Sequence, residues 1–337
     1  MCSAAQVLVT GASGFVGKYL LHQFVDRQIP ALGVVRSETR AAELRELFGQ
    51  FGDTVKLRVI PEDSSVENWQ QLFTGIQTVV HLGARAHITD REGSTARQAY
   101  WKTNVEWSRV LAEASRASQV RQFIYVSSIK ALGDFTFPGH PFTTTSEPHP
   151  QDDYGRSKLV AEREIASCLT GSATKLFILR TPLIYGPGVK ANFLSLIRAA
   201  EHQLPLPLRS VHNRRSLLFV GNLTDLIATI ITANSTPGTY LVSDTVPLST
   251  PELFSVLAKE LGVRCNLLPF PRQLLALGLR LVGKAAIAEK LLGDLELDTS
   301  DTCNQLHWSP PIDVKTGLRI TASWYKNRVG HQTVGVA

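Results

Sequence analysis

The chain has 337 residues, 44% hydrophobic and 19% charged, enough to bury a full core and unlike a disordered segment. The formal charge of +6, from 35 Lys and Arg against 29 Asp and Glu, is spread along the chain. That suits an anionic nucleotide ligand and argues against a nucleic-acid binder, which would need a basic stripe or reading motif. Cys2, Cys168, Cys265 and Cys303 are far apart with no C-x-x-C, the pattern of a reducing compartment with no zinc or other metal site.

A first strand begins within a few residues of Met1, so no signal peptide is expected. Apolar runs predict strands at Val7–Thr10, Ala31–Val35, Val55–Ile60, Thr78–Leu82, Phe123–Ser127 and Leu176–Arg180. Helical patterns separate them near Phe15–Asp26, Thr39–Phe48, Val66–Phe73, Thr95–Ala117 and Tyr154–Leu169. This alternation predicts an α/β fold, a Rossmann-type doubly wound parallel sheet whose ligands sit at the carboxyl ends of the strands. After Pro182 prolines punctuate shorter elements, and the rhythm breaks. Residues 1–182 and 219–246 are assigned to a dinucleotide-binding domain. Residues 183–218 and 247–326 form a smaller α/β substrate-binding part, and 327–337 a loose tail. The most apolar stretch, Leu274–Leu292, is interrupted by Arg280, Lys284, Glu289 and Lys290. It is expected to be a buried amphipathic helix, with a helix resting on a membrane surface as the alternative; no integral membrane segment is expected, and the chain is expected to be cytoplasmic.

Gly11, Gly14 and Gly17 follow the first strand in a G-x-x-G-x-x-G spacing and open the first helix. Such a turn, here with Ser13, Phe15 and Val16 in it, lets the backbone approach a pyrophosphate at a helix N-terminus. The second strand ends Val34-Val35-Arg36-Ser37. A guanidinium there cannot accept from ribose hydroxyls but pairs with a 2′-phosphate, so NADP(H) is favoured with NAD possible. Asp63 is expected beside the adenine, and His81, Leu82, Gly83 and Ala84 along the cofactor. Tyr154 and Lys158 share one helix face, 26 residues beyond Ser128. The ammonium is expected to reach the ribose and to lower the phenol pKa, so that Tyr154 handles a proton as hydride moves. Ser128 would hydrogen-bond the reacting oxygen.

Together with Asn104-Val105, Val126-Ser127-Ser128, Arg180-Thr181-Pro182-Leu183-Ile184-Tyr185-Gly186-Pro187 and Arg215-Ser216-Leu217-Leu218-Phe219-Val220, these motifs resemble the extended short-chain dehydrogenase/reductase family. The likeness is to its nucleotide-sugar epimerase, dehydratase and reductase branch, and it covers nearly the whole chain. It implies Ser128, Tyr154 and Lys158 as a catalytic trio and Pro182 against the cofactor. It further implies Asn192 and Arg215 on the diphosphate of a UDP-linked sugar, with Arg214 a less certain neighbour. Sugar 4,6-dehydratases place Asp-Glu after the catalytic Ser or Thr, whereas this chain has Ile129 and Lys130. That leaves 4-epimerisation with tightly bound NAD, or reduction of a 4-keto sugar with NADPH. Arg36 tilts the choice to reduction. The runs Ser127-Ser128-Ile129-Lys130 and Pro187-Gly188-Val189-Lys190 also resemble reductases that make N-acetylated 6-deoxyhexosamines for bacterial surface polysaccharide, which implies a UDP-4-keto-6-deoxy-N-acetylhexosamine as substrate. Leu295, ahead of Asp298-Thr299-Ser300, aligns with a gatekeeper position but reads equally as a core leucine. The family implies a homodimer through the helices near 96–117 and 154–169, with Val105, Val110, Leu111, Leu159, Val160 and Ile165 available to the seam or to the sheet. A non-catalytic dinucleotide sensor and a reductase of steroid-like or flavonoid-like ketones are the rival readings.

Overall fold

Val7 to Thr10 are all buried, as a central parallel strand requires when helices cover both of its faces. In a computed structural model, describing residues 6–48, 54–61, 64–85, 94–283 and 285–333, this strand is β1 (Val7–Thr10). It is followed by α1 (Phe15–Asp26), β2 (Ala31–Val35), α2 (Glu38–Phe48), β3 (Val55–Val59), α3 (Val66–Gln70) and β4 (Thr78–His81). Next come α4 (Ser94–Tyr100), a π-helical stretch (Trp101–Glu106), α5 (Trp107–Ala117), β5 (Gln122–Ser128), a 3-10 turn (Ile129–Ala131), α6 (Asp153–Leu169) and β6 (Lys175–Thr181). Beyond Pro182 lie β7 (Leu183–Tyr185), α7 (Ala191–Glu201), β8 (Leu217–Phe219), α8 (Val220–Thr232) and β9 (Gly238–Leu241). The chain closes with α9 (Thr250–Leu261), α10 (Arg272–Leu281), α11 (Ala285–Leu292), α12 (Ser300–Leu306) and α13 (Val314–Thr333).

Among the described residues, seven strands form one sheet in the order β3-β2-β1-β4-β5-β6-β9, and every pairing is parallel. This is a Rossmann-type α/β fold. The order reverses between β1 and β4, and a cleft opens at such a switch point beyond the strand ends. Thr10 pairs with His81 there, so the turn after β1 and the loop after β4 leave the sheet side by side. β9 returns the later chain to the sheet edge beside β6. A small parallel pair, β7 with β8, stands apart, inside a second core built around Tyr185, Phe193, Phe219, Phe254 and Leu318.

Two expectations change. The helix expected across Thr95–Ala117 is divided by π-helical Trp101–Glu106, which contains the fully buried Asn104. Single π turns of this kind occur where a side chain must be redirected at a functional site. The tail expected to loosen at Asn327 continues as helix to Thr333, because Leu318, Ala322 and Tyr325 anchor α13 on the second core. Of the apolar positions open to either a dimer seam or the sheet, Leu111 and Ile165 are buried against the sheet, and Val105 and Leu159 are buried as well.

Candidate active site

The turn after β1 can be built only with glycine at its first and third motif positions. Gly11 has φ +68°, and a Cβ there would lie 2.9 Å from both the Gly83 nitrogen and the Leu82 carbonyl carbon. A Cβ on Gly17 would lie 2.3 Å from the Gly11 oxygen, so α1 packs directly on the turn. Gly14 caps α1 in extended conformation with no side chain bonded to the helix N-terminus, and the first turn holds no acid. Amide donors and a helix dipole are thereby presented to an anion, which fits a dinucleotide pyrophosphate. Ser13, Phe15 and Val16 are half-buried around the turn.

A buried polar relay ties this turn to β4. Ser108 donates to the Asn104 carbonyl at 2.6 Å, so its oxygen accepts from His81 Nε2 at 2.8 Å. His81 Nδ1 then accepts from Thr10 Oγ1 at 2.7 Å, and Thr10 Oγ1 accepts from the Gly83 amide at 3.3 Å. Burial and the nearby Lys158 cation push His81 down to about 3, so it stays neutral in this relay at neutral pH. Asn104 holds the next residues: its Oδ1 accepts from the Arg85 amide at 2.8 Å, and its Nδ2 donates to the Arg85 carbonyl and to Ser157. Leu82 is half-buried, Gly83 buried and Ala84 exposed along that loop. Arg36 is exposed immediately beyond β2. Asp63 lies outside the described residues.

Ser128 ends β5, and Tyr154 and Lys158 lie in the first turns of α6, opposite it. Asp152 is the α6 N-cap, accepting from the Gly155 amide at 2.7 Å. Gly155 lets α6 approach, since a Cβ there would sit 2.4 Å from the Lys130 carbonyl oxygen. Lys158 is buried, donates to the Val126 carbonyl at 2.8 Å, and its ammonium stands 4.2 Å from the Tyr125 ring centroid. Burial drags it down to about 7, with Glu162 pulling the other way. Glu162, one turn further along α6, is bound by Ser127 Oγ and by Arg180, whose Nη2 is 2.7 Å away. Pro182 is buried just after β6, next to Thr181, which donates to the Ser127 carbonyl at 3.1 Å.

The expected lowering of the Tyr154 phenol does not hold in this structure. Burial pushes it up to about 12, while Ser128 and Lys130 act in the lowering direction and Lys158 does not figure among the causes. Desolvation of the phenolate outweighs the pull of Ser128 and Lys130, and the proton of Lys158 is itself weakened by burial.

Lys130 is the residue the sequence undervalued. It forms ion pairs with Asp134 at 2.8 Å and with Asp152, joining the Ser128 turn to the N-cap of α6. Its i,i+4 spacing to Asp134 was the available signal. Arg215 is half-buried and donates to the Gly293 carbonyl at 3.0 Å, within the field of Asp294 and Asp134. Its backbone bridges to Leu248 and Leu295, and the 294–297 segment in turn bonds Thr136 and Phe142 beyond the Ser128 turn. Arg214 points outward into an exposed ion pair with Glu296. Asn192 falls in the first turn of α7. Leu295 is buried with Ile129, Leu132, Leu241 and Leu297, so it is a core leucine behind the serine turn.

The fold and this constellation define an α/β dinucleotide-dependent enzyme class, and the comparisons identify it. Residues 7–243 match the NAD dependent epimerase/dehydratase family, and the chain belongs to that family. It is similar to a UDP-glucose 4-epimerase of Vibrio cholerae, 35% identical over 320 residues, 94% of each chain. An N-acetyl-alpha-D-glucosaminyl-diphospho-ditrans,octacis-undecaprenol 4-epimerase of Escherichia coli O157:H7 is 26% identical over 66% of this chain and 61% of its own. The fold superposes on a UDP-glucuronic acid 4-epimerase from Bacillus cereus in complex with NAD. Its TM-score is 0.75 at 18% identity, over 96% of this chain and 99% of that one. Among the described residues no helix is long and apolar enough to cross a membrane, and no group of His, Cys, Asp and Glu could hold a metal ion.

Proposed function

We propose that the protein is a UDP-sugar 4-epimerase. The observation that carries this reading is the Ser128–Tyr154–Lys158 arrangement between the end of β5 and the start of α6, with no carboxylic acid in the two places after the serine. Ile129 is buried in the core and Lys130 is committed to Asp134 and Asp152. Acid-assisted loss of water therefore lacks its usual groups, whereas proton exchange at a C4 oxygen has them. Full-length similarity to a UDP-glucose 4-epimerase favours epimerisation over net reduction.

When bound, the nicotinamide supplies the acceptor and donor of the C4 hydride. Tyr154 takes the proton of the C4 hydroxyl and returns it to the alkoxide after the ketone has turned over. Ser128 hydrogen-bonds that oxygen in both directions, and Lys158 orients the ribose. Arg215 and Asn192 are proposed to hold the UDP diphosphate, and a homodimer through α5 and α6 is the expected assembly.

Arg36 supports a second reading. An exposed guanidinium after β2 suits a 2′-phosphate, and thereby NADPH-dependent reduction of a UDP-4-keto-6-deoxy-N-acetylhexosamine. Purified protein should be denatured and its released nucleotide identified, then fresh protein mixed with UDP-glucose, UDP-N-acetylglucosamine or the 4-keto sugar plus NADPH. Retained NAD with interconversion of C4 epimers supports the epimerase. Stoichiometric NADPH consumption on the 4-keto sugar supports the reductase. Tyr154→Phe should lower either rate by about 10²–10⁴ without changing the melting temperature; a variant that still turns over removes Tyr154 from the chemistry.

A further inference from the structure

The stretch expected to be a buried amphipathic helix is exposed. No residue of α10 is buried. Leu275 and Leu279 lean on the second core, while Leu274, Leu277 and Leu281, at helical spacing on the other side, are 56%, 54% and 78% exposed. Phe270 before α10, Val282 just after it and Ile287 on α11 are exposed as well. Thirteen large apolar side chains are exposed among the described residues, and seven of them fall between 268 and 287, so this is a patch and not scatter.

The same stretch carries a local surplus of positive charge. Residues 264–290 contain Arg264, Arg272, Arg280, Lys284 and Lys290 against the single acid Glu289, which accounts for +4 of the chain's +6.

We propose that α10 docks the protein on an anionic lipid bilayer, lying in the plane of the interface. Its leucine stripe enters the headgroup boundary while the flanking arginines meet lipid phosphates. Ten residues span only about 15 Å, half of a bilayer core, so the helix rests on the surface without crossing it. A second copy is a poorer occupant, because a two-fold contact would set this basic stretch against itself. α11 leads directly into the 294–297 segment that borders the Ser128 turn, so docking would hold the cleft beside the bilayer. The proposal does not depend on which C4 reaction the site performs.

The test is co-sedimentation of the full chain with vesicles of phosphatidylglycerol and phosphatidylcholine, compared with phosphatidylcholine alone, at low and high salt. Binding to the anionic vesicles that weakens with salt is expected. The double variant Leu277→Ser, Leu281→Ser should reduce it on the order of tenfold or more while sugar-nucleotide turnover in solution is unchanged. Arg272→Glu with Arg280→Glu should also reduce it. Absence of binding to anionic vesicles overturns the proposal, as does binding that the leucine variant leaves intact. Loss of self-association by that variant in sedimentation velocity, without vesicle binding by the parent, would assign the stripe to a second copy instead.

Discussion

Arg180 on β6 holds Glu162 on α6 in a buried, doubly hydrogen-bonded ion pair, with Nη2 to Oε2 at 2.7 Å and Nε near both carboxylate oxygens. The pair lies one helical turn beyond Lys158, and Glu162 is the group that opposes the burial-driven weakening of the Lys158 proton. Arg180 therefore acts on the site through Glu162, as a positioning residue.

Glu162→Gln should lower the Lys158 pKa further below its ordinary range, and the limb of the pH–rate profile that follows Lys158 should move to lower pH. Removing one partner of a pair this buried leaves Arg180 uncompensated, at a cost of about 3–5 kcal/mol. Urea unfolding gives the second quantity and a pH series of initial rates the first. An unchanged profile would dissociate Glu162 from Lys158.

Lys130→Met removes a cation that favours the Tyr154 phenolate and leaves Asp134 and Asp152 without their shared partner. The Tyr154 pKa should rise further, moving its limb of the pH profile to higher pH. The turnover number should fall about tenfold to a hundredfold through misplacement of Ser128 against Tyr154, with little change in KM. Steady-state kinetics across pH separates this from a general loss of fold, which thermal melting would reveal.

Gly11→Ala forces a side chain into left-handed backbone and drives its Cβ against Leu82 and Gly83. The two loops of the cleft must separate, so NAD affinity should fall at least about tenfold and stability by about 1–3 kcal/mol. Calorimetric titration with NAD, paired with a melting curve, measures both. Tight NAD binding by the variant would show that the loop contact is dispensable.

Two buried bases make stability depend on pH in the same direction. His81 falls from 6.5 to about 3 and Lys158 from 10.5 to about 7 on folding. In each window the unfolded chain binds the extra proton, so stability rises with pH. The His81 contribution is complete above 6.5 and is lost as pH falls towards 3; that of Lys158 is complete above 10.5 and is lost towards 7. Urea midpoints between pH 7 and 10 should climb for the parent, and less for Lys158→Met. Equal slopes would contradict a depressed Lys158.

The sheet was legible because its inner strands β1 and β2 are apolar on both faces: they span the residues that the apolar runs predict, and α1 does too. The glycine turn was equally legible, since its spacing encodes backbone contacts that only glycine tolerates. What escaped were properties set by distant partners. Asn104 needs Arg85 and Ser157 before its π turn makes sense, and Lys130 needs Asp152. The phenol of Tyr154 illustrates the same limit, because helical spacing places a cation near it but does not reveal how deeply both are buried. Leu274–Leu292 has the composition of a packed helix, and only the arrangement of the second core leaves the outer side of α10 uncovered.

The seating of α6 on the Lys130 carbonyl has an evolutionary consequence. Lys130 fastens the catalytic helix by its side chain and receives Gly155 by its backbone. A glutamate introduced at that position would face Asp134 and Asp152 across the same gap. An Asp-Glu pair after Ser128 would therefore need Ile129 and Lys130 exchanged together with a new arrangement of the two aspartates that Lys130 now holds.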